Sequence, residues 1–552
     1  MDSHDGATAA ARWPLGTAIA TKVSERDAPS SAEEEPMTVN RSRRRLAIVI
    51  ASTAMIGSFA VPGIASELRV GFSQDGQTLD PANHRNRETE TILRNMCDGL
   101  LTRDASMKVV PEIAESYRQV DPQTWEFKIR DGVRFHSGTP LTATDVKFTF
   151  DRLTKESALG GQTSPRKSLL GPLAGVDVVD ARTVRFRLSA PWAILPAMLP
   201  FQELVSKDFV EKNGDAALAT KEDCAGPFKL VEWRRGDAVI MERDPNYYGG
   251  ATDIPPVGPA KVDRVIFKII PENASRVAAL LAGEVDIVNE LPASAIKQVE
   301  ASDRAKVMSV NGTRTFFLSI NGAKKPFDDI RVRKALNHAV DRKLIIDKIL
   351  AGRATPLNGV MSPDAFGFAA DLPEYAYDPA LAKKLLADAG HPNGLELTID
   401  TTAAFKPTAE AIAAIMARSG IKANVQIWEG AVLSPMWAAA DKRKDRDLYL
   451  ASWGNGALDP ADIMVPTLKT GGRGNSAGYS NAEVDKLLDA AETEVDQAER
   501  ADMYRKAQKQ VNADAPWVFL WLPQDLYGVS KRLKGWQPSA DSRINLHDAS
   551  VD

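Results

Sequence analysis

Cysteine and histidine are scarce. The 552 residues hold two cysteines, Cys97 and Cys224, and six scattered histidines, with neither a CxxC pair nor an HExxH motif. That excludes a cysteine-based zinc site, an iron–sulfur cluster, a disulfide-dense scaffold and a zincin-type hydrolase, and no metal or cofactor is expected. Charge of one sign is lacking too. Against 69 Lys and Arg stand 73 Asp and Glu, a formal net charge of −4, without the basic excess that a nucleic-acid partner requires. After Glu67 there is no internal repeat and no Gly/Ser-rich or charged linker, so the domains should be joined closely. What is present is a folded composition, 44% hydrophobic and 26% charged, in a chain long enough for roughly two to four domains at about 150 residues each.

A long hydrophobic run is nearly absent as well. The uncharged stretch from Leu46 to Ile64 is broken by Pro62 and Gly63, and its apolar part covers about 16 residues, short of the roughly 20 that a membrane helix needs. Arg41, Arg43, Arg44 and Arg45 precede it, and Ala65-Ser66 follow it before Glu67. A basic region, a short apolar core and small residues make a cleavable secretory signal over 37–66, with the export route, Sec or twin-arginine, left open. No cysteine follows to carry a lipid. Residues 1–36 are Ala-, Ser- and Glu-rich without apolar periodicity, so Met37 is expected to be the true start and the preceding stretch an extension without structure.

From Glu67 onward the pattern is mixed α and β. Trp125, Phe127 and Ile129 alternate with Glu126, Lys128 and Arg130, and Asp131-Gly132 should turn this strand into a hairpin with Val133 and Phe135. Thr142 and Asp145 form a capping box for a helix carrying Val146, Phe150 and Leu153. Further strands are predicted over 184–188, 262–270, 315–320, 395–400, 423–428, 448–453 and 517–522, and helices over 275–282, 330–351, 379–390, 408–420 and 481–512. Trp517 and Trp521, four apart on a strand, should share a core face.

Seven short motifs recur in fixed order along this pattern: Thr78-Leu79-Asp80-Pro81, Asp98-Gly99-Leu100-Leu101, WEFKIRDGVRFHSGTPLTATDVKFTFDRL from Trp125, Ala225-Gly226-Pro227-Phe228, RVRKALNHAVDRKLI from Arg331, Tyr377-Asp378-Pro379 and YSNAEVDKLL from Tyr479. Together they resemble the family 5 extracellular solute-binding proteins, the peptide-type receptors of ABC importers, from about Leu68 to the C-terminus. The resemblance implies an α/β, two-lobed periplasmic binding protein fold with an extra subdomain and discontinuous domains around a ligand cleft. Lobe I would take 67–97, 222–312 and 528–552, an inserted subdomain II 98–221, and lobe III 313–527. It also implies a periplasmic monomer that captures a small-molecule or peptide-like ligand and delivers it to an inner-membrane permease. An oxidising periplasm would permit a Cys97–Cys224 bond, and each cysteine adjoins a segment that the family brings near the lobe interface; the sequence leaves the pairing open.

The same resemblance puts the cleft along Arg85-Asn86-Arg87 and around the segment from Trp453 to Pro460, with Asn455 and Asp459 as polar candidates and Trp428 and Trp453 as aromatic walls. Peptide-binding relatives hold the ligand's α-ammonium with an aspartate three residues beyond the tryptophan; this chain has Gly456 there, and Asp459 would substitute only if the loop folds back. The missing carboxylate and the two arginines suggest an anionic ligand, read by a planar guanidinium fork. The alternative from another class is a secreted serine hydrolase using Ser476 of Gly474-Asn475-Ser476-Ala477-Gly478, a match to G-x-S-x-G. It lacks the strand before, the helix directly after and any downstream histidine but His547.

The mature protein should begin near Glu67. Mass spectrometry of exported protein that still carries residues 37–60 would overturn this.

Overall fold

The computed structural model describes residues 66–250 and 257–552. The extension 1–36 and the signal over 37–66, apart from Ser66, lie outside the described residues. Ser66 is tied down: its N–H and Oγ donate to the Asp263 carboxylate at 2.8 and 2.9 Å. Among the described residues no helix is long and apolar enough to cross a membrane.

The sheet of the first lobe is ordered Phe228–Arg234, Ala238–Arg243, Arg264–Ile269, Glu67–Phe72, Ile287–Val288 and then the C-terminal half of Trp517–Ser530, which also pairs with Ala305–Asn311. Glu67–Phe72 runs parallel to both of its neighbours. Leu68, Val70, Val265, Phe267 and Ile287 are all fully buried, whereas the alternating Glu67, Arg69, Arg264 and Lys268 remain partly exposed, so one face of these strands carries the core contacts. The sheet of the second lobe is ordered Ile421–Ile427, Leu395–Thr401, Leu448–Gly454, Arg314–Ile320 and the N-terminal half of Trp517–Ser530, with Ala354–Pro356 on the far edge.

Trp517–Ser530 thus belongs to both lobes. It pairs with Arg314–Ile320 through Trp521 and with Ala305–Asn311 from Gln524 onward. Beside it the chain crosses back at Gly312, whose N–H donates to the Pro523 carbonyl at 3.0 Å. A Cβ on Gly312 would lie 3.0 Å from that carbonyl and 3.2 Å from Asp525 Oδ1, so the approach of the two crossing strands needs glycine.

The inserted subdomain is a four-stranded antiparallel sheet ordered Ala114–Asp121, Thr124–Ile129, Thr183–Leu188 and Leu173–Asp180, with the helix Ala143–Thr154 starting at the expected capping box. The hairpin expected at Asp131-Gly132 is corrected here. The turn forms, but both edges of Thr124–Ile129 are already paired, so Val133 and Phe135 enter the core as side chains rather than as a returning strand. Two long helices are also corrected. The stretch 330–351 splits into Ile330–His338 and Arg342–Lys348, and 481–512 into Ala482–Thr493 and Gln497–Asp514. In each case an aspartate starts the second helix by accepting backbone N–H bonds, Asp341 from Leu344 and Asp496 from Ala498 and Glu499. Trp517 and Trp521 are both core, but on opposite faces. A β-bulge between Phe316 and Phe317 reverses the alternation, so Trp517 stacks on Phe317 and Trp521 on Phe316.

The C-terminal tail returns to the first lobe. Asn95 Nδ2 donates to the Ile544 carbonyl at 2.8 Å and its Oδ1 accepts the Leu546 N–H at 3.0 Å, while Arg543 pairs with Glu90.

Cys97 and Cys224 form a disulfide across 127 residues. Closing a loop of that size removes unfolded-state freedom, for which about 2–4 kcal/mol of stabilisation is typical. The double variant Cys97→Ser/Cys224→Ser should therefore melt at lower temperature than the parent. Titration of the unfolded, unreduced parent should find no free thiol; two equivalents would disprove the bond.

Candidate functional site

Open α/β sheets tend to bind ligands beyond the carboxyl ends of their parallel strands. In the first lobe, Phe72 and the Asn289-Glu290 turn after Ile287–Val288 line a cavity of about 320 Å³ with Arg87, Asp525, Tyr527 and Ser542. In the second, Leu395–Thr401, Ile421–Ile427 and Leu448–Gly454 are parallel, and the last of them brings Gly454 opposite Arg314. A larger cavity, about 840 Å³, lies between the inserted subdomain and the second lobe, with Arg85, Trp192, Asp462 and Arg473 on its walls.

Arg85 and Arg87 diverge, because Asn86 between them caps the helix Arg87–Leu93. Its Oδ1 accepts from the N–H and Oγ1 of Thr89 at 2.8 and 2.9 Å, which commits Asn86 to the fold. Arg85 donates to Ser168 Oγ at 2.9 Å and to the Pro165 carbonyl at 3.3 Å, on the larger cavity. Burial, with the neighbouring guanidiniums of Arg166 and Arg473, lowers its pKa, and Asp462 opposes the shift. Arg87 donates to Ser542 Oγ at 2.7 Å, on the smaller cavity.

Two further arginines join them. Arg314 heads its strand, and its guanidinium donates to Ser452 Oγ at 3.3 Å; burial and Arg87 lower its pKa while Asp525 opposes. Arg473 lies 4.8 Å over the Trp453 ring. A Cβ on Gly474 would collide with that ring, so glycine lets the loop bring Arg473 over it. Sequence reasoning passed over Arg314, a charged residue at the start of a strand with no pattern to mark it. Among the described residues none of these four guanidiniums makes an ion pair with a carboxylate.

The tryptophans divide likewise. Trp453 Nε1 donates to the Asp462 carbonyl at 2.9 Å, and its half-buried ring lies beneath Arg473, next to the larger cavity's Asp462 and Arg473 but not itself on that cavity's wall. Trp428 follows Ile421–Ile427 on the same strand-end edge, braced by Asp400 at 2.9 Å and covered by Arg446 at 4.5 Å; it lines neither cavity. Asn455 is fully buried. Its N–H donates to the Thr313 carbonyl at 2.9 Å, while its amide group finds no protein partner.

Asp459 does not replace the carboxylate missing at Gly456. Both of its oxygens accept from Arg500 Nη2 at 2.7 Å and one also accepts from the Ala461 N–H, a buried pair that holds the loop to the helix Gln497–Asp514. Opposite Gly456 stands the Phe201 ring, 3.7 Å from where a Cβ would lie, with the guanidiniums of Arg103 and Arg543 at 5.4 and 5.1 Å from its centre.

Ser476 does not form a nucleophile elbow. Its hydroxyl donates to Ser319 Oγ at 2.7 Å in a buried position, while His547 is engaged with the Gly258 carbonyl at 2.6 Å. The serine-hydrolase alternative has no support here. Among the described residues no group of three His, Cys, Asp or Glu side chains could hold a metal ion.

Comparison with known proteins agrees with this architecture. A glutathione-binding protein, GsiB of Pectobacterium atrosepticum, is 26% identical over 93% of this chain and all of its own length. The structure of HbpA2 from Haemophilus parasuis, 23% identical, superposes with a TM-score of 0.81 over 88% of this chain and the whole of that one, which shows the fold. The periplasmic binding protein DppA from Helicobacter pylori, in complex with the peptide STSA, is 27% identical with a TM-score of 0.70 over 88% of this chain and 98% of that one. The family model for bacterial extracellular solute-binding proteins, family 5 (middle), matches residues 108–475, and this chain belongs to that family.

Proposed function

We propose that the chain is the periplasmic receptor of an ABC importer, capturing a small anionic solute of peptide-like or opine-like chemistry and handing it to an inner-membrane permease. One observation carries the anionic preference. Arg85, Arg87, Arg314 and Arg473 face the cleft or its cavities with hydroxyl, carbonyl or aromatic partners instead of carboxylates. A guanidinium in a closing, poorly hydrated cleft gains most from a charged, bidentate partner, and a ligand carboxylate is such a partner. Relatives named for glutathione, itself a peptide with two carboxylates, support the chemical class.

Capture works by closure of the two lobes about the paired crossings at Gly312 and Pro523, where few residues have to absorb the rotation. Arg85 and Arg87 approach from one side, Arg314, Trp453 and Arg473 from the other. Export by the signal over 37–66 puts the protein where such a ligand is met.

A thermal-shift screen with glutathione, short acidic peptides and neutral sugars should find stabilisation by the first two classes, because a ligand that binds only the folded state raises the melting temperature. Replacing Arg85 and Arg87 together with alanine should weaken the best anionic ligand by about 2 kcal/mol or more, read by calorimetry. Unchanged affinity, or a neutral sugar as the preferred ligand, would end the anionic reading.

A further inference from the structure

We infer that Asp462 reads the amine of the ligand, so that the ligand is a zwitterion with its ammonium on Asp462 and a carboxylate on Arg85 and Arg473. This rests on the receptor reading above and names the ligand's second charge. Asp462 stands in the first turn of the helix Ala461–Leu468, on the wall of the larger cavity. One of its oxygens accepts the Ala457 N–H at 3.3 Å; the other has no hydrogen-bond partner among the described residues. Its backbone carbonyl holds Trp453 Nε1, which fixes the carboxylate beside that ring.

The charges of this cavity are arranged for a guest that carries both signs. Arg473 and Arg85 are near enough to favour the ionised form of Asp462, yet burial and the neighbouring Asp459 carboxylate outweigh them and its pKa is raised. No ion pair closes between them, in contrast to Lys469 on the same wall, which is already paired with Asp489. Opposite charges held apart across a cavity of about 840 Å³ leave a gap that a zwitterion fills, each end meeting its counter-charge. The opposite wall, with Leu169, Trp192 and Met198, is apolar and suits the carbon skeleton between those ends. Glu492 lines the same cavity, but its charged neighbours are Lys469, Asp489, Asp459 and Arg500 rather than Arg85 or Arg473. An ammonium close to a carboxylate already held by those two arginines therefore falls to Asp462. The assignment also explains how an amine is accommodated without an aspartate at Gly456.

The test compares two ligand pairs by calorimetry, glutathione with N-acetylglutathione and Ala-Glu with N-acetyl-Ala-Glu, on the parent, Asp462→Asn and Glu492→Gln. The parent should bind each free amine about tenfold or more tightly than its acetylated partner, and Asp462→Asn should bring each pair to within about twofold, chiefly by weakening the free amine. The unliganded melting temperature of Asp462→Asn should match the parent's, which separates loss of recognition from loss of fold. If acetylation costs nothing in the parent, or the discrimination survives Asp462→Asn, the assignment is wrong while the anionic receptor stands. Loss confined to Glu492→Gln would move the amine to that residue and equally overturn it. Failure of all four compounds to bind would remove the peptide-like reading itself, and this inference with it.

Discussion

The strand Trp517–Ser530 pairs with the sheet of one lobe as far as Pro523 and with the sheet of the other from Gln524 onward. Both sheets are built outward from it, so its course determines where the lobes face each other. Continuous pairing would weld them into one slab. At Pro523, however, the backbone has no N–H to offer the ladder, and Gly312 beside it carries no Cβ to obstruct the close crossing. The cleft opens where the ladder is thinnest. The parallel strand Glu67–Phe72 ends beside it, with Phe72 and Asn289 lining the smaller cavity, while Leu448–Gly454 ends opposite Arg314.

Charge divides the arginines into two groups. Those that hold the fold are paired in buried places, as Arg500 is with Asp459 and Arg152 with Asp80 and Asp215. Breaking such a pair strands the partner charge at a cost of about 3–5 kcal/mol. Those at the cleft are exposed and have been given hydroxyls, carbonyls or an aromatic face. The Arg85 and Arg314 pKa values both fall through burial and like-charge neighbours. In the proposed reading, a ligand carboxylate would supply the counter-charge that these guanidiniums lack.

The same logic separates the candidate residues that the motif pattern had grouped together. Asn86 and Asp459 lie in the segments expected to meet the ligand, yet both spend their acceptors on local structure, one as a helix cap and the other in a buried ion pair. Arg85, on one side of Asn86, points to the larger cavity, and Arg87, on the other, to the smaller one. Arg314 and Asp462 join the site from segments with no outward mark, a strand start and the first turn of a helix.

The α/β character, the capped helix at Thr142, the core role of Trp517 and Trp521 and the family itself were legible in the sequence, because apolar periodicity, capping residues and ordered motifs are local properties of the chain. The split helices were legible in part, since Asp341 and Asp496 are ordinary cap residues that longer apolar patterns concealed. The face each tryptophan takes was decided by a bulge, which depends on the partner strand. Which polar residue is free for a ligand was likewise beyond sequence reading. Whether Asp459 is spent on Arg500, 41 residues away, depends on a contact that exists only once the helix Gln497–Asp514 packs against the loop. Local chemistry chose the elements; only the packing of distant segments decided which charges remained without partners, because pairing is a matter of distance in space and not along the chain.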